Sequence, residues 1–414
     1  MLTGRRYRLE FTDEQEAYAD RVAGICRAVW NIALEQRREY RRRGAYINYV
    51  EQAGQLAEAK RDFGWLAEAP SHTLQQTLRD LDRACREHGT FKVRWRSKVR
   101  NTPSFRFPDP NHISVVRSSR RWGKVRLPKF GWVRFRWSRP LGGTARNVTV
   151  SRDGPHWHVS FCVEDGVNAA EPNGKPAVGL DRGVVVAVAT SDGGLLDREF
   201  VTLGELKRLK RLQQRLSRSQ RVIGRTRASN RRKDTRRKLA VLNATLRARR
   251  ADFAAQTANR FTREHGLIAV EDLKIANMTR SAKGTSEAPG RNVRQKAGLN
   301  KAILAKGWGL LLSRLEHTAR YHGATIVKVN PAYTSQTCSA CRHVASDSRK
   351  SQAVFRCVAC RYQYHADVNA AKNILAAGLA VTGRGDLDIG RSVKRQPPKT
   401  RKSPDNLALG VPRL

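Results

Sequence analysis

Three acidic residues stand where a carboxylate is unusual. Asp181 interrupts an almost continuous apolar run that begins at Ala177, and an acid inside such a strand is costly unless it binds a cation. Glu271 ends a short apolar strand pattern, and Asp367 opens an alanine-rich helical pattern. Each acid alone would also suit a strand end or a helix N-cap. The set of three, in these contexts, indicates a site for divalent cations.

Four of the seven cysteines form two close pairs. Two residues separate Cys338 from Cys341, fifteen residues follow, and Cys357 and Cys360 repeat the spacing. This pattern predicts one structural Zn²⁺ held by four thiolates, with no open coordination position for catalysis. Two redox or disulfide pairs are the alternative, but intracellular proteins rarely keep disulfides. The other three cysteines are expected to be buried structural thiols: Cys26, Cys85 and Cys162.

The charge of the chain indicates a polyanionic partner. Its 414 residues include 80 Lys and Arg against 36 Asp and Glu, a formal net charge of +44. Nucleic acid binds such a protein tightly because binding releases condensed counterions. At roughly 150 residues per domain, two or three domains are expected. No apolar run approaches the roughly 20 residues that cross a bilayer, and the first residues are charged, so we expect an intracellular protein without membrane contact.

Helical and strand patterns divide the N-terminal half. After a short strand at 7–11, Thr12 and Gln15 form a capping-box signature, and amphipathic helical patterns continue to about residue 90. From residue 91 to 164, alternation and turn residues predict an antiparallel, barrel-like sheet. His156 and His158 are expected at its surface. Outward cations beside an indole suit nucleic-acid backbone contact and base stacking, although solvated arginine is the alternative. These candidates are Trp122, Lys124, Arg134 and Arg136.

The motifs together resemble the TnpB family, which comprises transposon-encoded RNA-guided DNA nucleases related to type V CRISPR effectors. The resemblance rests on Gly179–Gly183, Val270–Leu273, Asn330–Cys341 and Asp367–Ile374. It implies that Asp181, Glu271 and Asp367 are the three acids of a RuvC-like nuclease site. Asp272 remains an alternative second acid, because a strand end could turn either neighbour inward. The sequence departs from the family where a glycine often follows the second cysteine of each pair, since Arg342 and Arg361 stand there.

The resemblance also implies a multidomain α+β architecture. We expect an RNase H-like (RuvC) α/β domain interrupted by a four-cysteine zinc ribbon, after an N-terminal barrel-like wedge domain with a helical recognition insert. The expected bounds are 1–11 and 91–170 for the wedge-like β domain, 12–90 for the helical module, 171–330 and 364–382 for the nuclease domain, 331–363 for the ribbon and 383–414 for a disordered basic tail.

A basic helical pair at 203–262 is expected within the nuclease domain. Residues 205–250 contain eighteen Lys and Arg but only two acids, Glu205 and Asp234. A leucine stripe from Leu203 to Leu216 is expected to pack on the nuclease sheet, while the cations meet an RNA stem or an RNA–DNA hybrid. A solvated coiled coil is the alternative. The candidate contacts are Lys207, Arg211, Arg215 and Arg218. Residues 281–300 have loop composition, and a helix is expected at 303–322.

The function that the resemblance implies is RNA-guided, Mg²⁺-dependent DNA cleavage by a protein associated with an insertion-sequence transposon. We expect a guide RNA and target double-stranded DNA as partners, one Zn²⁺ in the ribbon and two Mg²⁺ at the acids. The expected location is the cytoplasm of a prokaryote, in association with the nucleoid. Two alternatives remain: a guided DNA-binding repressor without cleavage, and an RNase H-fold transposase that itself joins strands.

Overall fold

The computed structural model describes residues 1–98, 100–223, 229–285 and 287–386. The chain divides into two compact units, one of residues 1–171 with 198–257 and one of residues 172–197 with the described residues from 258 onward. Throughout the described residues, every helix is too short or too polar to cross a bilayer. Residues 387–414 of the expected tail lie outside the described residues, and residues 383–386 belong to the last helix.

The first unit begins with one strand, continues with four helices and then forms six more strands. They are β1 (Leu2–Glu10), α1 (Asp13–Arg42), α2 (Tyr49–Asp62), α3 (Gly64–Glu68), α4 (Ser71–His88), β2 (Ser104–Phe107), β3 (Ser114–Arg117), β4 (Trp122–Leu127), β5 (Gly131–Arg136), β6 (Thr144–Asp153) and β7 (His156–Glu164). The predicted capping box starts α1: the Gln15 N–H donates to Thr12 Oγ1 and the Thr12 N–H donates to Gln15 Oε1, each at 3.2 Å. It satisfies two otherwise unpaired donors of the first turn.

The seven strands form one antiparallel sheet in the order β2-β6-β7-β1-β5-β4-β3. β1 is central because its first residues pair with β7 and its last two with β5. The four-residue β3 pairs with β4 alone among the described strands, so β2 and β3 are free edges and the expected barrel-like closure is not formed. His158 is half-buried rather than at the surface, because β1 and β6 flank it in the sheet. The predicted alternation buries Val133, Phe135, Trp157, Val159 and Phe161.

A buried ion pair joins the helices of the first unit. Arg37 of α1 is 3% exposed and binds Asp82 of α4 at 2.8 Å. Its Nε also donates to Gln52 of α2 at 2.7 Å. Burial of a guanidinium is tolerated only with such partners, so this contact fixes how the three helices pack.

Most of the basic helical pair groups with the first unit, which differs from its expected place in the nuclease domain. The pair consists of α5 (Leu203–Ile223) and α6 (Asn230–Glu264), and residues 198–257 belong to the first unit. Arg247 of α6 binds Asp153 at 2.6 Å. Gly154 lies close to the main chain of α6, since an added Cβ there would be 3.7 Å from the Ala240 oxygen.

The second unit contains a five-stranded sheet. Its strands are β8 (Ala177–Asp181), β9 (Val188–Thr190), β10 (Leu195–Leu196), β11 (Leu267–Glu271) and β12 (Thr325–Val329). The order is β10-β9-β8-β11-β12. β9 is antiparallel to both β8 and β10, whereas β8, β11 and β12 are parallel to one another. The carboxyl ends of three parallel strands therefore meet at one edge.

Four helices complete the second unit: α7 (Ile275–Met278), α8 (Val293–Lys306), α9 (Trp308–His322) and α10 (Ala366–Asp386). α8 begins at Val293, so residues 293–300 of the stretch with loop composition are helical rather than loop. Gly307 with φ of 72° separates α8 from α9. α10 lies directly on the sheet because glycines remove side chains at the contact. A Cβ on Gly179 would be 2.1 Å from the Ala371 oxygen, and one on Gly378 would be 2.5 Å from Ala269 Cβ.

The segment between β12 and α10 contains a two-stranded hairpin, β13 (Val354–Arg356) with β14 (Gln363–His365). Phe355 is fully buried beside Cys338 and Cys357. This segment corresponds to the predicted ribbon.

Candidate active site and metal centre

The three predicted acids lie in the second unit at one end of its sheet. Asp181 and Glu271 are the last residues of β8 and β11, whose register sets Leu180 beside Val270. Parallel strands bring these two carboxylates to the same edge. Asp367 is the second residue of α10, which packs on β8.

Two of the acids have specific side-chain partners. Glu271 is 8% exposed and Asp367 is 6% exposed. The Thr334 hydroxyl donates to Glu271 Oε1 at 2.6 Å, and the Arg349 guanidinium binds Asp367 Oδ1 at 2.9 Å. These bonds hold the two carboxylates in defined orientations.

Asp181 shows that the site carries excess negative charge. Burial, followed by the carboxylates of Glu271 and Asp367, raises its pKa to about 7, against the opposing effect of Arg349. The part of this rise that comes from the two carboxylates shows that Arg349 does not fully offset their charge at Asp181. A divalent cation would supply the missing charge, and oxygen ligands of this kind are those that Mg²⁺ prefers. The donor set therefore fits such a cation.

Two arginines that the sequence argument did not single out contact these acids. Arg349 lies in the fifteen-residue stretch between the cysteine pairs, where neither spacing nor periodicity marks it. Arg182 follows Asp181 directly, is 3% exposed and donates to the main-chain oxygen of Glu271. Burial lowers the pKa of Arg182, while the nearby acids oppose that change. Its position next to Asp181, the acid that interrupts the apolar strand, is the sequence feature that could have indicated its role.

Asp272, the alternative second acid, has a different environment from Glu271. Its side chain is 42% exposed and binds Lys274 at 2.6 Å. The hydrogen bond from Lys274 lowers the pKa of Asp272. Glu271 is the buried member of the pair and the one whose charge acts on Asp181.

The four predicted cysteines converge on one point. All four sulfurs lie within 4.8 Å of one another, with Cys338 and Cys360 3.7 Å apart and Cys341 and Cys357 3.6 Å apart. Four sulfurs at 2.3 Å from a tetrahedral metal would be about 3.8 Å apart. Main-chain N–H groups, chiefly that of Cys360, lower the pKa of Cys357 to about 6, which favours the thiolate that a metal needs. At Cys360 the main-chain hydrogen bond of Tyr362 lowers the pKa, but the neighbouring thiols outweigh it and raise the pKa, because one proton is shared among crowded sulfurs. The cluster could therefore bind a metal ion.

The arginines that replace the usual glycines adopt the glycine conformation. Arg342 has φ of 65° and Arg361 has φ of 61°. The Arg342 N–H donates to the Cys338 oxygen and the Arg361 N–H to the Cys357 oxygen, at 2.9 and 3.1 Å. Both pairs thus make the same turn despite the departure from the family pattern.

A second group of possible metal ligands lies in the first unit. His72, Asp109 and His112 are the other described residues whose ligand atoms converge within 4.8 Å. Both Asp109 oxygens already accept hydrogen bonds, from the Asn111 N–H at 2.9 Å and from the His112 ring at 2.8 Å. This arrangement satisfies the carboxylate as a local turn.

The candidate nucleic-acid contacts of the strand region are neighbours in the sheet of the first unit. Trp122 lies opposite Arg136, and Lys124 lies opposite Arg134. The guanidinium carbons of Arg134 and Arg136 are 4.3 and 4.1 Å from the Trp122 ring centroid, within cation–π range. Arg136 also binds Glu10 at 3.3 Å. The indole is therefore engaged by the protein's own arginines, whereas Lys124 is exposed.

The candidate contacts of α5 form an exposed cationic row. Lys207, Arg211, Arg215 and Arg218 recur every three or four residues and are all exposed, so they share a helix face. The acid of α5, Glu205, is bound to Arg249 of α6 at 2.6 Å. The leucine stripe is only partly buried: Leu209 and Leu212 are buried, but Leu203 is 80% exposed.

Known proteins resemble this chain in sequence and in fold. Family models match residues 160–282, described as "Probable transposase", residues 308–374, described as a Cas12f1-like TNB domain, and residues 1–45, described as a helix-turn-helix domain. InsQ of Escherichia coli (strain K12), provisionally named an RNA-guided DNA endonuclease, is 37% identical over 400 residues, which cover 95% of this chain and 96% of InsQ. The chain belongs to the TnpB family.

Further similarity extends over almost the whole of this TnpB family member. A Streptomyces pristinaespiralis protein with the same provisional activity in its name is 33% identical over 427 residues, or 99% of this chain and 98% of that protein. A cryo-EM structure of a Cas12f1–sgRNA–target DNA complex aligns with a TM-score of 0.54 and 13% identity, covering 88% of this chain and 83% of that one. At this identity the likeness concerns the fold.

Proposed function

We propose that this TnpB family member is an RNA-guided, Mg²⁺-dependent DNA endonuclease encoded with an insertion sequence. The observation that carries the proposal is the placement of Asp181, Glu271 and Asp367 at one end of the sheet, close enough for Glu271 and Asp367 to raise the pKa of Asp181. The names of the curated relatives support guided DNA cleavage as the activity.

The architecture of the second unit supports a RuvC-like assignment. Three antiparallel strands are followed by two parallel ones, and acids end the first and the fourth strand in chain order. This arrangement supports the expected RNase H-like sheet. The sulfur spacing supports one structural Zn²⁺ in the ribbon.

The three acids would hold two Mg²⁺ ions, which when bound stabilise charge on the attacking and leaving oxygens of a phosphodiester. Arg349, bound to Asp367, is placed to donate to a phosphate oxygen as well, because a guanidinium has five donors. Arg182 would hold the main chain of Glu271 in place by donating to its main-chain oxygen. Glu271 is preferred to Asp272 as the second acid because Asp272 is exposed and bound to Lys274.

The basic surfaces of the first unit would hold the nucleic acids. The exposed row on α5 suits phosphate backbones, whose charge is the same for every sequence. Pairing between guide and target would then read the sequence. Raising the salt concentration should weaken assembly, whereas withholding Mg²⁺ should stop cleavage with binding retained.

The test uses protein expressed with its native flanking DNA, so that copurifying RNA can be sequenced and used as the guide. Wild type, Asp181→Ala and the matched control Asp272→Asn are compared for target binding and for cleavage in Mg²⁺. All three should bind the target, and only Asp181→Ala should leave it uncut. Cleavage by Asp181→Ala would overturn the site. Binding without cleavage by wild type would favour a repressor, and joined DNA ends would favour a transposase.

A further inference from the structure

A short segment after β12 contacts Glu271 and leads into the first cysteine pair. Thr334 in this segment is 7% exposed, and its hydroxyl lies 2.6 Å from Glu271 Oε1 and 3.1 Å from the Pro331 oxygen. A hydroxyl has one proton to donate, and the shorter contact to a charged acceptor is the stronger bond. Thr334 therefore sets the orientation of the Glu271 carboxylate.

Thr334 is itself held by α10. The Asn373 side chain is 6% exposed, and its Nδ2 donates to the main-chain oxygens of Thr334 and Thr337, at 2.9 and 2.7 Å. Since a buried amide left without its partners costs free energy, this contact fixes the main chain that presents the threonine hydroxyl. α10 also carries Asp367, so one helix positions one acid directly and a second through Thr334.

The same helix holds the beginning of the thiol cluster. Asn369, one turn before Asn373, is fully buried; its Nδ2 donates to the Thr337 oxygen at 2.8 Å and its Oδ1 accepts from the Ser339 N–H at 2.9 Å. Those contacts lie on either side of Cys338, which is also fully buried. α10 therefore holds the main chain on both sides of Cys338, one of the four candidate metal ligands.

The ribbon contacts a second acid as well. Arg349, between the two cysteine pairs, binds Asp367 Oδ1 at 2.9 Å with its own side chain 24% exposed. The thiol cluster therefore has two routes to the acid cluster, one through Thr334 to Glu271 and one through Arg349 to Asp367.

We propose that Thr334, Asn369 and Asn373 are positioning residues, through which metal binding at the four thiols sets the cation affinity of the acid cluster. The proposal rests on the proposed function for the identity of the acid cluster as a Mg²⁺ site. Loss of the thiol-bound metal frees the segment 334–341, and Glu271 then loses its orienting hydroxyl. The nuclease site thereby depends on the state of the ribbon thiols, which oxidation or chelation changes.

The first experiment compares Thr334→Val, which removes the hydroxyl at nearly constant shape, with Thr334→Ser, which keeps it. Thr318→Val is the matched control, because that hydroxyl donates only within α9, to the Arg314 oxygen at 2.8 Å. Mn²⁺ binding is measured by calorimetry on the RNA-bound protein, zinc content by elemental analysis, and the Mg²⁺ dependence by cleavage. Partners of metal ligands typically contribute about 10–100-fold to metal affinity, and Thr334→Val should lose that factor.

Thr334→Ser and Thr318→Val should bind Mn²⁺ as wild type does, and all three variants should retain the ribbon zinc. Wild-type Mn²⁺ affinity in Thr334→Val would overturn the proposal, as would an equal loss in Thr334→Ser.

The second experiment tests the link to the thiols. Cys341→Ser, at an exposed ligand, should lose the ribbon metal and weaken Mn²⁺ binding by at least the factor of Thr334→Val, because both routes are released. Adding Thr334→Val to Cys341→Ser should cause little further loss, because the route through Thr334 is then already released. Fully additive losses would refute the coupling. Wild type that binds Mn²⁺ through Thr334 but never cuts DNA would instead refute the proposed function.

Discussion

Replacing Gly179 with alanine tests how closely α10 must lie on β8. The new Cβ would be 2.1 Å from the Ala371 oxygen and 2.7 Å from the Leu375 nitrogen. Both are main-chain atoms, which cannot rotate away as a side chain can. To reach even 3.0 Å, the helix must withdraw from the strand by about 0.9 Å.

The expected effect on stability is large for a single methyl group. Inserting a methylene into a packed core typically costs about 1–3 kcal/mol, and a main-chain obstacle places this change near the upper value. We therefore expect Gly179→Ala to lower the unfolding free energy of the second unit by about 3 kcal/mol. Cleavage should fall as well, because β8 ends in Asp181 and α10 carries Asp367. A misplacement of about 1 Å at a reacting centre can cost roughly 100-fold in rate.

Gly298→Ala in α8 is the matched control. A Cβ at Gly298 would meet no atom within 4 Å, and the position is helical. Alanine there should increase stability by about 0.5–1 kcal/mol. Denaturant unfolding followed by circular dichroism gives the stabilities, and single-turnover cleavage gives the rates. Wild-type stability in Gly179→Ala would refute the close helix–strand contact, and lost stability with an unchanged rate would refute its link to the acids.

Three further outcomes follow from individual contacts. Arg37→Ala should destabilise the first unit by about 3 kcal/mol in urea unfolding, because Asp82 keeps only its contact with Arg86 and Gln52 Oε1 loses its donor; a loss below about 1 kcal/mol would show that the ion pair matters little. Arg361→Gly should stabilise the ribbon by about 1 kcal/mol with zinc content unchanged, since φ of 61° strains any residue with a Cβ, and a lower melting temperature would contradict this. Burial lowers the pKa of His158 to about 4, so the unfolded chain takes up the proton first. Stability should therefore fall as pH drops from about 6.5 towards 4, and His158→Asn should flatten that dependence in pH-resolved melts.

The acids and thiols could be predicted from the sequence because their signals are local. An acid that interrupts an apolar strand and a repeated cysteine spacing each occupy fewer than thirty consecutive residues. Arg349 and Thr334 carry no such signal. Their roles arise from the way the ribbon folds back on the acids, and hydrogen bonds across 18 and 63 residues of sequence create them.

The helical pair shows the limit of periodicity. The leucine stripe of α5 correctly predicts a helix with an apolar face, because the spacing of three and four residues is a local property. Periodicity does not specify what that face packs against. Contacts such as Arg247 with Asp153 instead group residues 198–257 with the first unit, and they depend on a pairing 94 residues apart.

The net charge of +44 does not by itself neutralise the acid cluster. Exposed charges more than about 8–10 Å apart are largely screened at physiological ionic strength, so a large net charge does not by itself place a cation close enough to neutralise a buried carboxylate. The pKa of Asp181 is raised to about 7 although the protein has a large excess of cations. The charge of Arg349 lowers this pKa, but not enough to offset burial and the two neighbouring carboxylates. A cation bound within the cluster would neutralise it and keep Asp181 ionised. A basic protein can bind nucleic acid over its surface and still depend on a separate, local cation to cut it.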